Sequence, residues 1–399
     1  MGSEYDAQIR HRTWDLVPPD PSYKLVGTKW IHRIKRLPNG KIDKYKSRFV
    51  AKGCHQRPGV DYAETFSHVI KAATVRLVLG QAVARGWSLR QLDVNNAFLQ
   101  GNLNEDVYIA QPAGFVDRDK PHYVCKLRKA LYGLKQAPRA WYLEMELRTF
   151  LLASGFTNSL ADASLFILNS LGVTLYVLIY VDDIVITGND TKAIDKFIAQ
   201  LGNRFSLKDM GDLNYFLGIE AHRIGCGLLL IQQKYITDLL ARCNMLDATP
   251  VSTPMSPSHS LQLTSGRALP DGREYRTIVG SLQYLHFTRP DVAFAVDKLS
   301  QFMHCPTYEH WQAAKRVLRY LSGTRDQGIF LRSNNTLNLH AFSDADWAGN
   351  RDDYTSTGAY IVYLGSHPVV WSSKKQKTPA RSSTEAEYRS VADTAAELC

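Results

Sequence analysis

The sequence has 399 residues, 45% of them hydrophobic, with 48 Lys and Arg against 38 Asp and Glu and a formal charge of +10. At about 150 residues per domain that length suits two or three domains, and the composition excludes a disordered or collagen-like chain. All of the excess charge lies early, since residues 1–90 hold 17 basic and 7 acidic side chains. A basic segment ahead of a neutral body points to a polyanion such as nucleic acid or nucleotide phosphate, or to a merely solvated basic face; charge alone leaves the two level.

Other classes fall away. The six cysteines are scattered, without a CxxC pair or zinc-like spacing, which fits free thiols rather than a disulfide framework. The polar start Met1-Gly2-Ser3-Glu4-Tyr5-Asp6 is no signal peptide, and the longest apolar run, Leu171–Val181, is too short to span a bilayer. A soluble, intracellular protein is expected.

Along the chain, Lys29–Lys35 and Lys44–Lys52 alternate basic and apolar residues around Pro38-Asn39-Gly40, which predicts a two-stranded ribbon with cations on one face. Thr74–Arg85 has helical spacing, Gln91–Phe98 reads as a strand, Ala140–Ser154 as a helix, and Leu165–Thr187 as paired strands broken at Asp182-Asp183. Thr191–Phe205 and Gln232–Cys243 are predicted helices. Asp247–Glu274, with four prolines, is a linker or an extended wrap. Helices are expected near Tyr275–Phe287, Asp291–Met303 and Tyr308–Ser322, strands over Asp326–Trp371, and a closing helix over Ser383–Leu398.

The sharpest local feature is Leu178-Ile179-Tyr180-Val181-Asp182-Asp183-Ile184-Val185-Ile186. Adjacent strand residues point to opposite faces, so two neighbouring aspartates serve one site only if the chain turns there. Apolar runs on both sides predict a hairpin with carboxylates at its tip. Asp93, a lone acid ending an apolar strand, is the natural third member. Like charges brought together ask for a cation, and oxygen ligands with phosphate suit Mg²⁺. An ordinary solvated Asp-Asp turn is the competing reading. No GxxxxGK[ST], GxGxxG, HExxH or GxSxG motif offers a rival chemistry.

Tyr180-Val181-Asp182-Asp183 resembles the catalytic box of reverse transcriptases. Leu92–Gly101, Leu131–Trp141 and Lys44–Gly53 resemble companion boxes of the copia-type LTR retrotransposons, in the right order over essentially the whole chain. The resemblance implies an α+β fold: a right-hand polymerase of fingers, palm and thumb, then a helical connection and a truncated ribonuclease H-like unit. The implied domains are 1–240 (fingers and palm), 241–324 (thumb and connection) and 325–399 (partial ribonuclease H).

It further implies an RNA-directed DNA polymerase working on RNA template, DNA primer and dNTPs, without a membrane, in the cytoplasm or nucleus and beside other element-encoded proteins. Asp93 and Asp182, supported by Asp183, would hold two Mg²⁺, or Mn²⁺. Lys46 and Arg48 would grip the triphosphate. Phe98 would exclude a ribose 2′-hydroxyl, Gln136 would line the nucleotide pocket, and Phe216-Leu217-Gly218 resembles the primer grip. Asp344 and Glu385 match the first two acidic ribonuclease H ligands; the family needs further carboxylates downstream of Cys399, and Asp393 lies about 12 Å along the helix from Glu385. Little RNA-cleaving activity is expected from these residues alone. His68 departs from the proline usual there. The alternative from another class is a non-catalytic nucleic-acid-binding remnant of a decayed element.

Overall fold

The computed structural model describes residues 1–36, 41–143, 146–256 and 261–398; the turn expected at Pro38-Asn39-Gly40 lies outside them. The chain forms two compact units, one of Met1–Ile70 with Arg90–Gly211, the other of Lys71–Leu89 with Asp212–Cys399. The mixed α and β character is as expected. The linear boundaries at 240 and 324 do not coincide with these units, because distant segments pack together.

The first unit is built around a six-stranded sheet in the order Leu207–Asp212, Ser88–Val94, Asp183–Gly188, Val173–Tyr180, Leu165–Ser170, Thr157–Asn158. Helix Thr191–Arg204 starts at Asp190, whose side chain accepts from the Lys192 and Ala193 N–H groups. Its Ile194, Phe197 and Leu201 recur at helical spacing and join Leu92, Val177, Ile184 and Ile186 of the strands in one core. Helical turns over Ala137–Leu143 and Glu146–Ala153 fall where a helix over Ala140–Ser154 is expected, with residues 144–145 outside the described ones. A four-stranded sheet, Trp14–Val17, Val124–Leu127, Tyr108–Ile109 and Leu25–Val26, buries a second core with Phe49 and Leu131.

Strands Thr28–Arg36 and Ile42–Ala51 form the expected ribbon. The register sets Arg33 opposite Lys46, Ile31 opposite Arg48 and Lys29 opposite Val50. Paired residues share a face, so Lys29, Arg33, Lys46 and Arg48 lie on one side. Phe49 is on the other, buried.

In the second unit, helices Gln233–Arg242, Arg273–Gln283, Ala293–Ser300 and Tyr308–Gly323 surround a core of Ile236, Tyr275, Val279, Leu299 and Leu318. The proline-rich stretch is a wrap rather than a free linker. Arg319 donates to the Thr249 carbonyl at 2.7 Å, Arg316 to the Thr253 hydroxyl at 2.8 Å and Arg325 to the Leu246 carbonyl at 2.7 Å. Strand Gly328–Arg332 pairs antiparallel with Gly227–Ile231, which ties residues on either side of the expected boundary at 324 into one sheet. Strands Leu339–Ala345, Thr357–Leu364 and His367–Lys375 form a separate antiparallel sheet carrying helix Ser383–Leu398.

Helix Ala72–Ala84 joins this unit through Arg76, which is 4% exposed. Its guanidinium donates to the carbonyls of Val369 at 2.6 Å and His286 at 2.8 Å, and lies 3.9 Å from the Trp371 ring centroid. Burial lowers its pKa to about 9. Carbonyl dipoles and an aromatic face, rather than a carboxylate, satisfy this cation.

Candidate active site

Tyr180 pairs with Asp183 across the central hairpin, leaving Val181 and Asp182 as a two-residue loop. Such loops put their first residue at positive φ, normally a glycine or asparagine. Here it is Val181, at φ 54°. A β-branched residue in that region costs of order 1–3 kcal/mol and persists only where its surroundings over-determine it. They do. Ile179, Ile184, Val185 and Ile186 are buried, so the flanking strands are fixed. The Trp141 indole N–H donates to the Val181 carbonyl at 2.7 Å, and the Val94 N–H donates to the Asp182 carbonyl at 2.7 Å. The second bond sets Asp93, the residue before Val94, beside the loop.

The three carboxylates feel one another. Burial raises the Asp182 pKa and the charge on Asp93 adds to it, while Arg48 and Lys46 pull the other way. Burial followed by the charges on Asp182 and Asp93 pushes Asp183 up to about 6, against a hydrogen bond from Gln91. Among the described residues, no three His, Cys, Asp or Glu side chains converge as a ready-made metal cage. Mg²⁺ asks for less: one or two carboxylates, with phosphate oxygens and water completing the octahedron. An all-oxygen set whose charges repel fits that ion.

The other expected boxes converge by close backbone approach. Gly133 has φ +89°, and a Cβ there would lie 2.1 Å from the Ala51 carbonyl oxygen. Only glycine lets the 131–141 segment lie against the end of the basic ribbon, where the Ala51 N–H donates to the Tyr132 carbonyl at 2.7 Å. That contact carries the Tyr132 ring to the site. Its centroid lies 4.8 Å from the Arg48 guanidinium carbon and 4.7 Å, edge to face, from Phe98. Burial pushes the Tyr132 hydroxyl up to about 12; Arg48 opposes, while Asp182, Glu4 and Asp93 add to the rise. Arg48, Phe98 and the aspartates thus share one neighbourhood, and Lys46 acts on Asp182 from the same ribbon.

Gln136 is placed differently from the pocket-lining position expected of it. It is 2% exposed, its Oε1 accepts from Gln56 Nε2 at 2.9 Å, and its Nε2 donates to the Asp61 carbonyl at 3.0 Å. It ties loops together, and Tyr132 is the side chain of that segment standing beside Phe98. Sequence reading gave Tyr132 and Trp141 no role, although both lie inside a quoted motif. It also missed Glu4 of helix Gly2–Arg10. Burial raises the Glu4 pKa, while the Phe49 N–H and the cations Arg48 and Lys46 lower it.

The remaining expected residues lie in the second unit. Leu217 and Gly218, both at positive φ, form a two-residue turn between strands Tyr215–Phe216 and Ile219–Ile224. Phe216 and Leu217 are buried, and Tyr284 donates its hydroxyl to the Leu217 carbonyl at 2.9 Å. The apolar side chains of the expected primer grip, Phe216 and Leu217, therefore serve the core. Asp344 is exposed on its strand, and its carbonyl accepts from Ser390 at 2.8 Å. Glu385 is spoken for: Oε1 takes Arg389 at 2.6 Å and Oε2 takes the Arg381 N–H at 2.8 Å. The structure brings Asp93, Asp182 and Asp183 into mutual range; it does not present Glu385 as a free ligand beside Asp344.

The reverse transcriptase (RNA-dependent DNA polymerase) family matches residues 11–257, a span that contains the hairpin, its third aspartate and the basic ribbon. The chain belongs to the reverse transcriptase family. It is 63% identical over 399 residues to the Retrovirus-related Pol polyprotein from transposon RE1 of Arabidopsis thaliana, covering 100% of this chain and 27% of that protein. It is 36% identical over 411 aligned residues to the corresponding polyprotein from transposon TNT 1-94 of Nicotiana tabacum, covering 100% of this chain and 30% of that one. The putative transposon Ty5-1 protein of Saccharomyces cerevisiae is 35% identical over 311 residues, 77% of this chain and 100% of that protein. This reverse transcriptase relative is therefore of the copia-type Pol class, and it spans about a quarter of the length of the plant polyproteins it matches. Among the described residues, no helix is long and apolar enough to cross a membrane.

Proposed function

We propose that this chain is an RNA-directed DNA polymerase of a copia-type retrotransposon, extending a DNA primer on an RNA or DNA template with dNTPs. One observation carries the reading. Asp182 and Asp183 stand at a hairpin tip tied by Val94 to the strand of Asp93, the charge of Asp93 acts unfavourably on both, and Arg48 and Lys46 of the ribbon act on Asp182. Carboxylates beside cations, with aromatic rings between, form a receptor for a metal-bound triphosphate.

In this reading the unit of Met1–Ile70 and Arg90–Gly211 supplies palm and fingers, and the helices after residue 233 supply thumb and connection. Asp93 and Asp182, backed by Asp183, would hold two Mg²⁺, whose chemistry is to make the primer 3′-hydroxyl a better nucleophile and to stabilise charge on the leaving pyrophosphate. The protein's own part is positioning. The Val181–Asp182 loop fixes the carboxylates, Arg48 and Lys46 neutralise and orient the triphosphate, and the Phe98 ring, braced by Tyr132, blocks a ribose 2′-hydroxyl. The 217–218 turn would meet the primer strand. The Asp344 and Glu385 pair, with Glu385 held by Arg389 and the Arg381 N–H, would contribute little or no RNA cleavage. The protein would act in the cytoplasm or nucleus with other products of its element.

The deciding assay is extension of a DNA primer on an RNA template with dNTPs and Mg²⁺, beside Asp182→Asn. Extension abolished by that substitution is expected. An inert wild-type chain would leave a nucleic-acid-binding remnant as the better reading, and extension surviving the substitution would overturn the metal-site assignment. Phe98→Ala should raise ribonucleotide incorporation; unchanged sugar selectivity would remove its assigned role.

A further inference from the structure

We infer that Trp141 is a positioning residue for the polymerase carboxylates, acting through its indole N–H on the strained Val181–Asp182 loop. The inference rests on the polymerase reading for its consequence, but the latch itself is a matter of geometry. Val181 sits at φ 54°, where a valine gains nothing by staying, and a relaxed loop would re-aim Asp182. Two donors oppose that relaxation from two sides: Trp141 Nε1 on the Val181 carbonyl and the Val94 N–H on the Asp182 carbonyl, each at 2.7 Å. The Val94 bond belongs to the strand that bears Asp93, so it moves with the site. Trp141 comes from elsewhere and fixes the loop against the body of the protein.

Its own placement is firm. Trp141 is 4% exposed and packs in the core with Leu92, Ile179 and Ile184. The helix carrying it, Ala137–Leu143, closes on the 97–101 segment at Gly101, where a Cβ would lie 2.9 Å from the Ala140 carbonyl carbon and from the Trp141 nitrogen. Ser67, His68 and Pro138 line a small cavity with Trp141 and Val181, so the departure at His68 falls beside this latch. A buried indole could find a carbonyl in many places; this one meets the carbonyl of a β-branched residue held at positive φ.

The test uses the full chain with Trp141→Phe, Val181→Gly and the double variant. Trp141→Phe should lower kcat for primer extension about tenfold, equivalent to about 1.4 kcal/mol, with the dNTP KM unchanged within twofold. Amide hydrogen exchange at residues 181–183 of the metal-free protein should accelerate by a similar factor. The double variant keeps the cavity left by the indole but removes the strain, so kcat should return to within about threefold of wild type although the indole is still absent. Unchanged exchange in Trp141→Phe overturns the latch. An active wild type with unaltered kcat in Trp141→Phe, or a double variant that fails to recover, overturns the positioning role. A wild type that extends nothing while Trp141→Phe still accelerates exchange supports the latch and withdraws the polymerase reading instead.

Discussion

Asp182 and Asp183 stand at a hairpin tip where burial and neighbouring like charge raise their pKa values. Glu385, in the first turn of helix Ser383–Leu398, is held below the usual range by the Arg381 N–H and by Arg389 one turn on. Both regions were read from sequence as acidic metal-binding boxes. The difference between them is who supplies the positive charge. At the hairpin the protein leaves a deficit that a cation can fill; on the helix it has filled the deficit itself. In the proposed reading a metal site is unfavourable without its ion, and of these two acidic regions the hairpin fits that condition.

Asp182→Asn breaks the contrast most directly. Primer extension should fall by about a thousandfold or more, several kcal/mol of lost charge stabilisation in the reaction. The melting temperature of the metal-free protein should meanwhile rise, because one of the repelling charges is gone. A fall in both would mean that the carboxylate is a structural ion and not a ligand in waiting.

A smaller effect follows from pH. Asp183 titrates near 6 in the folded protein against 3.8 unperturbed, so the folded state binds this proton more tightly than the unfolded one. Its contribution to stability is therefore full below about 4 and is lost as pH rises to about 6. Thermal melts of the metal-free chain should show that decline, Asp183→Asn should flatten it, and millimolar Mg²⁺ should oppose it. A stability that climbs through this window in the wild type and is unaltered in the variant would deny the raised pKa.

The smallest effect is expected at the other acid. Arg389→Ala removes an exposed pair one turn apart, and such pairs contribute little. A shift in melting temperature at the edge of detection is expected, with primer extension unaltered. A large loss would show that Glu385 and Arg389 carry more of the C-terminal helix than their exposure suggests.

What was legible in the sequence was local. The alternation around residues 29–52 gave the cationic face, the apolar runs around Asp182 gave the hairpin, and the spacing of residues 383–398 gave the last helix with its observed ends. A lone acid ending an apolar strand pointed to Asp93, whose neighbour Val94 bonds the hairpin loop. What was not legible was what depends on the direction of a side chain or on a distant neighbour. Gln136 and Tyr132 are four residues apart in one motif, yet one is spent on Gln56 and Asp61 while the other reaches Arg48 and Phe98. Nothing in their order says which. Trp141 has no visible role until the strained carbonyl it meets is in place. The compact units differ from linear boundaries for the same reason, since helix Ala72–Ala84 packs with strands more than two hundred residues later.

Arg76 gives that last fact a dimension in time. The residue and the Val369 carbonyl that receives it are 293 positions apart. At about 5–20 residues per second on the ribosome, helix Ala72–Ala84 waits about 15–60 s for its partner to be made. Until His286 is made its arginine must remain in water or in the care of a chaperone, and a nascent chain halted before that residue carries an apolar helix whose arginine has neither carbonyl, a natural target for proteolysis.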